Sequence, residues 1–84
     1  MNSGKMLRDA YTRAMKYAQE RNRGLDIYFT INGIQFRLHD CAGSDQIDTF
    51  NWQQLEEVGR TEQIADGFVQ MVEQLDAKLR VHGK

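Results

Sequence analysis

Asp26, His39 and Cys41 are the residues of this 84-residue chain whose types and spacing come nearest to covalent chemistry. Cys41 beside His39 could form a thiolate pair, and Asp26, on a strand facing His39, could orient the imidazole. A nucleophile two residues from its base at a strand end still needs an enclosed site, and no motif around the three supplies one. A cross-strand Asp–His pair on a solvated face accounts for the same letters. Metal chemistry is poorer still. His39, Cys41 and His82 are the only soft ligands, whereas a structural zinc takes four, and neither CxxC nor HxxxH is present. No glycine-rich phosphate loop occurs, because Gly24, Gly33, Gly43 and Gly59 each read as an element boundary. The chain is therefore expected to be neither an enzyme nor the holder of a cofactor or metal.

Binding chemistry is richer. Residues 1–24 carry six basic side chains against two acidic, and residues 40–66 carry seven acidic against one basic. Such polarity bears on partners rather than on fold. Lys5, Arg8, Arg13 and Lys16 fall on one arc of a first helix and could meet phosphates. The helix–strands–helix order resembles that of the double-stranded-RNA-binding domain, but Glu62 and Asp66 open the last helix where such a domain presents lysines. The segment from Gln54 to Val72 resembles a helix-turn-helix with Gly59 at its turn. Glu62, Gln63 and Asp66 would then face the DNA backbone, and acids there repel it.

Protein contact fits more of the residues. Tyr28, Gln35, Arg37 and His39 share the polar face of a hairpin, and aromatic and Arg side chains are favoured at interfaces. Asp45, Asp48, Glu56 and Glu57 form an acidic segment that could dock on a basic surface, including a nucleic-acid-binding groove.

The element that positions this cluster spans Leu25 to Asp40. Asn32-Gly33 is the standard sequence of a type I′ hairpin turn. Pairing outward from it sets Ile31 opposite Ile34, Phe29 opposite Phe36 and Ile27 opposite Leu38 on one face. The other face then pairs Thr30 with Gln35, Tyr28 with Arg37 and Asp26 with His39.

Around the hairpin stand three helical patterns. From about Gly4 to Asn22, Met6, Leu7, Ala10, Tyr11, Ala14, Tyr17 and Ala18 recur at helical spacing, Asp9 precedes Arg13 by one turn, and Gly24 ends the helix. A short helix over Trp52–Val58 is capped by Asn51 with Gln54 at the third position, Phe50 stapling to Leu55 and Gly59 terminating it. Trp52 is expected in the core. Thr61 caps a last helix over Glu62–Val81 with Ile64, Phe68, Met71, Val72, Leu75 and Leu79 buried. Two strands alone are marginal, so either Gln46–Thr49 adds a third short strand or the hairpin edge is covered by a helix or a partner subunit. The expected fold is a single α+β domain, a two-layer sandwich in the order helix, β-hairpin, short helix, long helix.

Composition agrees with a small globular chain. Apolar residues make up 40% and charged residues 27%, which argues against disorder. No run approaches the roughly 18 apolar residues of a membrane span, and Arg8, Asp9, Arg13 and Lys16 interrupt any secretory signal. A lone cysteine suits a reducing compartment, so a cytoplasmic location is expected. In size, lack of proline and element order the chain resembles the small inhibitors and adaptors of phages and mobile elements, anti-CRISPR proteins included, although no motif carries the likeness. That resemblance implies a non-catalytic module occluding a surface of host machinery, for instance a nucleic-acid-binding complex. The alternative is a small nucleic-acid-binding regulator using the first helix, and so small a core also suits a homodimer.

Overall fold

A computed structural model describes residues 3–60 and 63–82. The chain runs α1 (Ser3–Glu20), β1 (Gly24–Thr30), β2 (Gly33–His39), β3 (Asp45–Asn51), α2 (Trp52–Arg60) and α3 (Ile64–His82). The strands form one antiparallel sheet in the order β1-β2-β3, with β2 in the centre. The helices cover one side of it, giving the expected α+β sandwich, and the third strand forms at greater length than Gln46–Thr49.

Why the layers adhere is plain from the residue types. Ala10, Ala14 and Ala18 are fully buried along α1, and such small side chains let α1 approach α3 closely. From α3, Phe68, Val72, Leu75 and Leu79 meet Ile34, Phe36 and Leu38 of β2 in one cluster. Phe68 is its hub, lying edge-on to Phe36 at 5.0 Å between ring centroids and tilted against Phe50 at 5.7 Å. Among the described residues, one charged side chain is buried in this layer. Asp76 is buried and receives Arg23 Nε at 2.9 Å and Arg80 Nε at 3.6 Å, which compensates its desolvation.

Capping differs in part from expectation. Asn51 and Gln54 form a reciprocal box at the start of α2, Asn51 Oδ1 accepting from Gln54 N at 2.8 Å and Gln54 Oε1 from Asn51 N at 3.0 Å. At the end of α1, Asn22 rather than Gly24 takes the left-handed position, with φ of 58°. Arg23 N and Asn22 N return to the carbonyls of Ala18 and Gln19, completing a Schellman motif. Gly24 instead opens β1, where the His39 ring lies over it and leaves no room for a Cβ. Helix α2 continues past Gly59 to Arg60. Thr61 and Glu62, expected to start the last helix, lie outside the described residues. Tyr11, expected in the buried arc of α1, is exposed.

The hairpin register is the main correction. Thr30 pairs with Gly33, Phe29 with Ile34, Tyr28 with Gln35, Ile27 with Phe36, Asp26 with Arg37 and Leu25 with Leu38. The turn is therefore Ile31-Asn32, one residue earlier than the Asn32-Gly33 turn expected. The Thr30 hydroxyl holds it, donating to the Gly33 carbonyl at 2.9 Å and accepting from Asn32 N at 3.2 Å. Trp52 Nε1 adds a bond to the Ile31 carbonyl at 3.0 Å. Gly33 serves a different need. Its φ is 145°, and a Cβ there would strike the Phe50 carbonyl across the ladder, so the glycine permits β3 to pair beside the turn. The slip moves Ile31 out of the apolar row into solvent, 91% exposed, but leaves every other strand side chain on its expected face.

Candidate functional site

None of the described helices lies over the outer face of the sheet, and strand alternation sends a defined set of side chains there. Row by row across β1, β2 and β3, these are Tyr28, Gln35 and Thr49, then Asp26, Arg37 and Ile47, then Gly24, His39 and Asp45. Arg37 is the centre. Its Nε donates to Asp45 Oδ2 at 2.9 Å and its Nη1 to Asp26 Oδ2 at 3.2 Å. His39 Nε2 stands 3.4 Å from the same Asp26 oxygen. The hydrogen bond to Asp45 is the main cause raising the Arg37 pKa above its ordinary value, so the guanidinium is a fixed cation at any pH the fold meets. Exposed pairs of this kind add little stability, but two carboxylates gripping one guanidinium fix its orientation.

Two large apolar side chains flank this charged centre. Tyr28 is 47% exposed and Ile47 52% exposed, on either side of Arg37. At the turn end of the sheet a second apolar group gathers: Phe29 at 70% exposure, Ile31, and Trp52 with its ring 6.3 Å from that of Phe29. Large apolar side chains so exposed and so close together mark contact surfaces.

Five of the expected contact residues, Tyr28, Gln35, Arg37, His39 and Asp45, share this face. The corrected register changes their partners, since Arg37 stands opposite Asp26 and Tyr28 opposite Gln35, but not their company. Asp48 is on the other side of β3, its Oδ1 accepting from Thr49 N at 2.8 Å and its Oδ2 4.0 Å from Lys78 Nζ. Glu56 and Glu57 sit on α2, away from the Arg37 cluster, and Glu57 lines a shallow groove with Phe50, Gln54 and Met71. The acidic segment is thus not one surface. Asp40 is engaged internally as well, its carboxylate accepting from Ala42 N and Ser44 N in the β2–β3 loop.

The basic arc is also partly engaged. Arg13 pairs with Asp9 at 3.4 Å and approaches Asp66 at 4.0 Å, Arg21 stacks over Tyr17, and Arg23 holds Asp76. Lys5, Arg8 and Lys16 are exposed side chains of α1.

Ile47, Phe29, Ile31 and Trp52 were not legible as surface residues. Ile47 and Phe50 are the two apolar residues of β3, and the pairing of β3 with β2 turns Ile47 outward. Among the described residues, no three His, Cys, Asp or Glu side chains gather where a metal ion could sit. None of the described helices is long and apolar enough to cross a membrane. No family model, curated protein or solved structure matches the chain.

Proposed function

We propose that this protein is a non-catalytic binding module whose uncovered sheet face docks on the surface of another protein. The observation that carries the reading is the placement of Tyr28 and Ile47, both exposed, beside an Arg37 held in one orientation by Asp26 and Asp45. Aromatic and arginine anchors beside aliphatic surface are the composition of interface centres, and a pre-oriented guanidinium loses little freedom on binding. The exposed Phe29, Ile31 and Trp52 extend the same apolar character to the sheet's tip. In a finer form of this reading the protein acts in the cytoplasm as an inhibitor or adaptor of the phage and mobile-element kind, anti-CRISPR-like, covering a surface of host machinery such as a nucleic-acid-binding complex. That form is supported by size and architecture alone.

Two variants separate this reading from nucleic-acid binding by α1. Tyr28→Ala with Ile47→Asp removes the outer-face anchors, whereas Arg8→Ala with Lys16→Ala removes exposed charge from α1. Protein-partner capture is expected to fall at least about tenfold in the first variant and to persist in the second. Capture unaffected by the first variant would overturn the reading. Nucleic-acid affinity that falls steeply with salt and disappears in the second variant would favour the α1 regulator instead.

A further inference from the structure

The two edges of the sheet are built differently. On β3, Asp48 turns a charge toward the helix layer, and its carboxylate occupies the backbone N–H of Thr49. An inward charge and a pre-engaged backbone donor are ways in which an edge resists further pairing. Among the described residues, nothing comparable protects β1. Its seven residues, Gly24 to Thr30, contain neither proline nor lysine, and the one charge, Asp26, is tied sideways to Arg37 and His39 on its own sheet.

The backbone phase follows from the turn. Thr30 and Gly33 flank a two-residue loop and exchange their backbone bonds, so Tyr28, Asp26 and Gly24 also bond to β2. Leu25, Ile27 and Phe29 therefore turn their N–H and C=O groups away from the sheet. Their side chains point to the helix side, and the last of them, Phe29, is left mostly in water.

We propose that β1 is the pairing edge for a second copy of this chain, the two strands running antiparallel about a two-fold axis at Ile27. In that register Ile27 faces Ile27 of the partner subunit, and Leu25 faces Phe29 of the partner subunit. All three outward backbone positions then form bonded pairs. On the outer side Asp26 faces Tyr28 of the partner subunit, placing a carboxylate beside a phenol hydroxyl and leaving no like charges directly opposite. A two-fold axis at Leu25 would leave Phe29 unpaired, and one at Phe29 would leave Leu25 unpaired. Only the axis at Ile27 engages the whole strand. The product is a continuous six-stranded sheet in which Phe29 is covered by an apolar neighbour.

The test uses the full chain without any other partner. Light scattering behind size exclusion is expected to give twice the 9.8 kDa chain mass. Amide exchange at Leu25, Ile27 and Phe29 is expected to slow as protein concentration rises, while Asp26 and Tyr28, already bonded to β2, change little. Phe29→Lys is expected to weaken self-association at least about tenfold. A chain monomeric up to about 1 mM would overturn the proposal, as would a dimer whose β1 amides exchange independently of concentration. The amide measurement on the unaltered chain decides the matter even if Phe29→Lys fails to fold.

Discussion

Neighbouring residues of β2 live in opposite surroundings. Ile34, Phe36 and Leu38 are sealed against α3 and the rest of the helix layer, while Gln35, Arg37 and His39 stand one residue away on a face that none of the described helices covers. The first set makes the close contacts on which stability rests. The second set makes ion pairs whose contribution to stability is small, yet those pairs hold one cation in place between two exposed apolar side chains. The contrast separates what the sheet needs in order to fold from what it has available for contact.

Substitutions can break that contrast on either side. The largest effect is expected from Phe36→Ala, which removes a fully buried ring from the edge of Phe68. A loss of about 3–5 kcal/mol, enough to unfold much of so small a domain, would be seen in chemical denaturation. Gly33→Val comes next, because its φ and the Phe50 carbonyl both exclude a side chain, and the same measurement should register about 1–3 kcal/mol. Asn51→Ala removes the accepting half of the α2 cap and should cost about 1 kcal/mol. Arg37→Ala is expected to be the mildest for folding, leaving the denaturation midpoint nearly unchanged, and to weaken partner binding about tenfold or more. A reversal of that last pair of effects, with large destabilisation and unchanged binding, would place Arg37 with the structural set.

Much of the inner–outer division was legible because alternation along a strand is strict. Ile27, Phe29, Ile34, Phe36 and Leu38 all point to the side expected. The register was not legible for the same reason: the observed and expected pairings differ by two positions, which preserves every face except at Ile31, so hydrophobic pattern hardly chooses between them. The choice falls to polar groups at the turn, the Thr30 hydroxyl and the indole N–H of Trp52. The latter comes from far along the chain, and no local pattern announces it. Asn32-Gly33 misled because its glycine answers the approach of β3 rather than the geometry of the turn. In the candidate site, Tyr28, Gln35, Arg37 and His39 could be grouped from the hairpin alone. Asp48 and Ile47 could not be assigned to their faces until β3 was paired, and they exchange the roles that polarity alone suggests for them. The exposure of Phe29 was hidden for another reason. It lies on the correct face but at the turn end of an edge strand, where apolar pattern carries no information about how far the helix layer reaches.

The most direct test of the central claim is a map of which side chains lose solvent access when the protein is bound to a captured partner, read by cross-saturation or covalent labelling. The open-face account predicts protection at Tyr28, Arg37 and Ile47, with Arg8 and Lys16 of α1 unchanged. Protection confined to α1, with Tyr28, Arg37 and Ile47 as accessible as in the free protein, would contradict it.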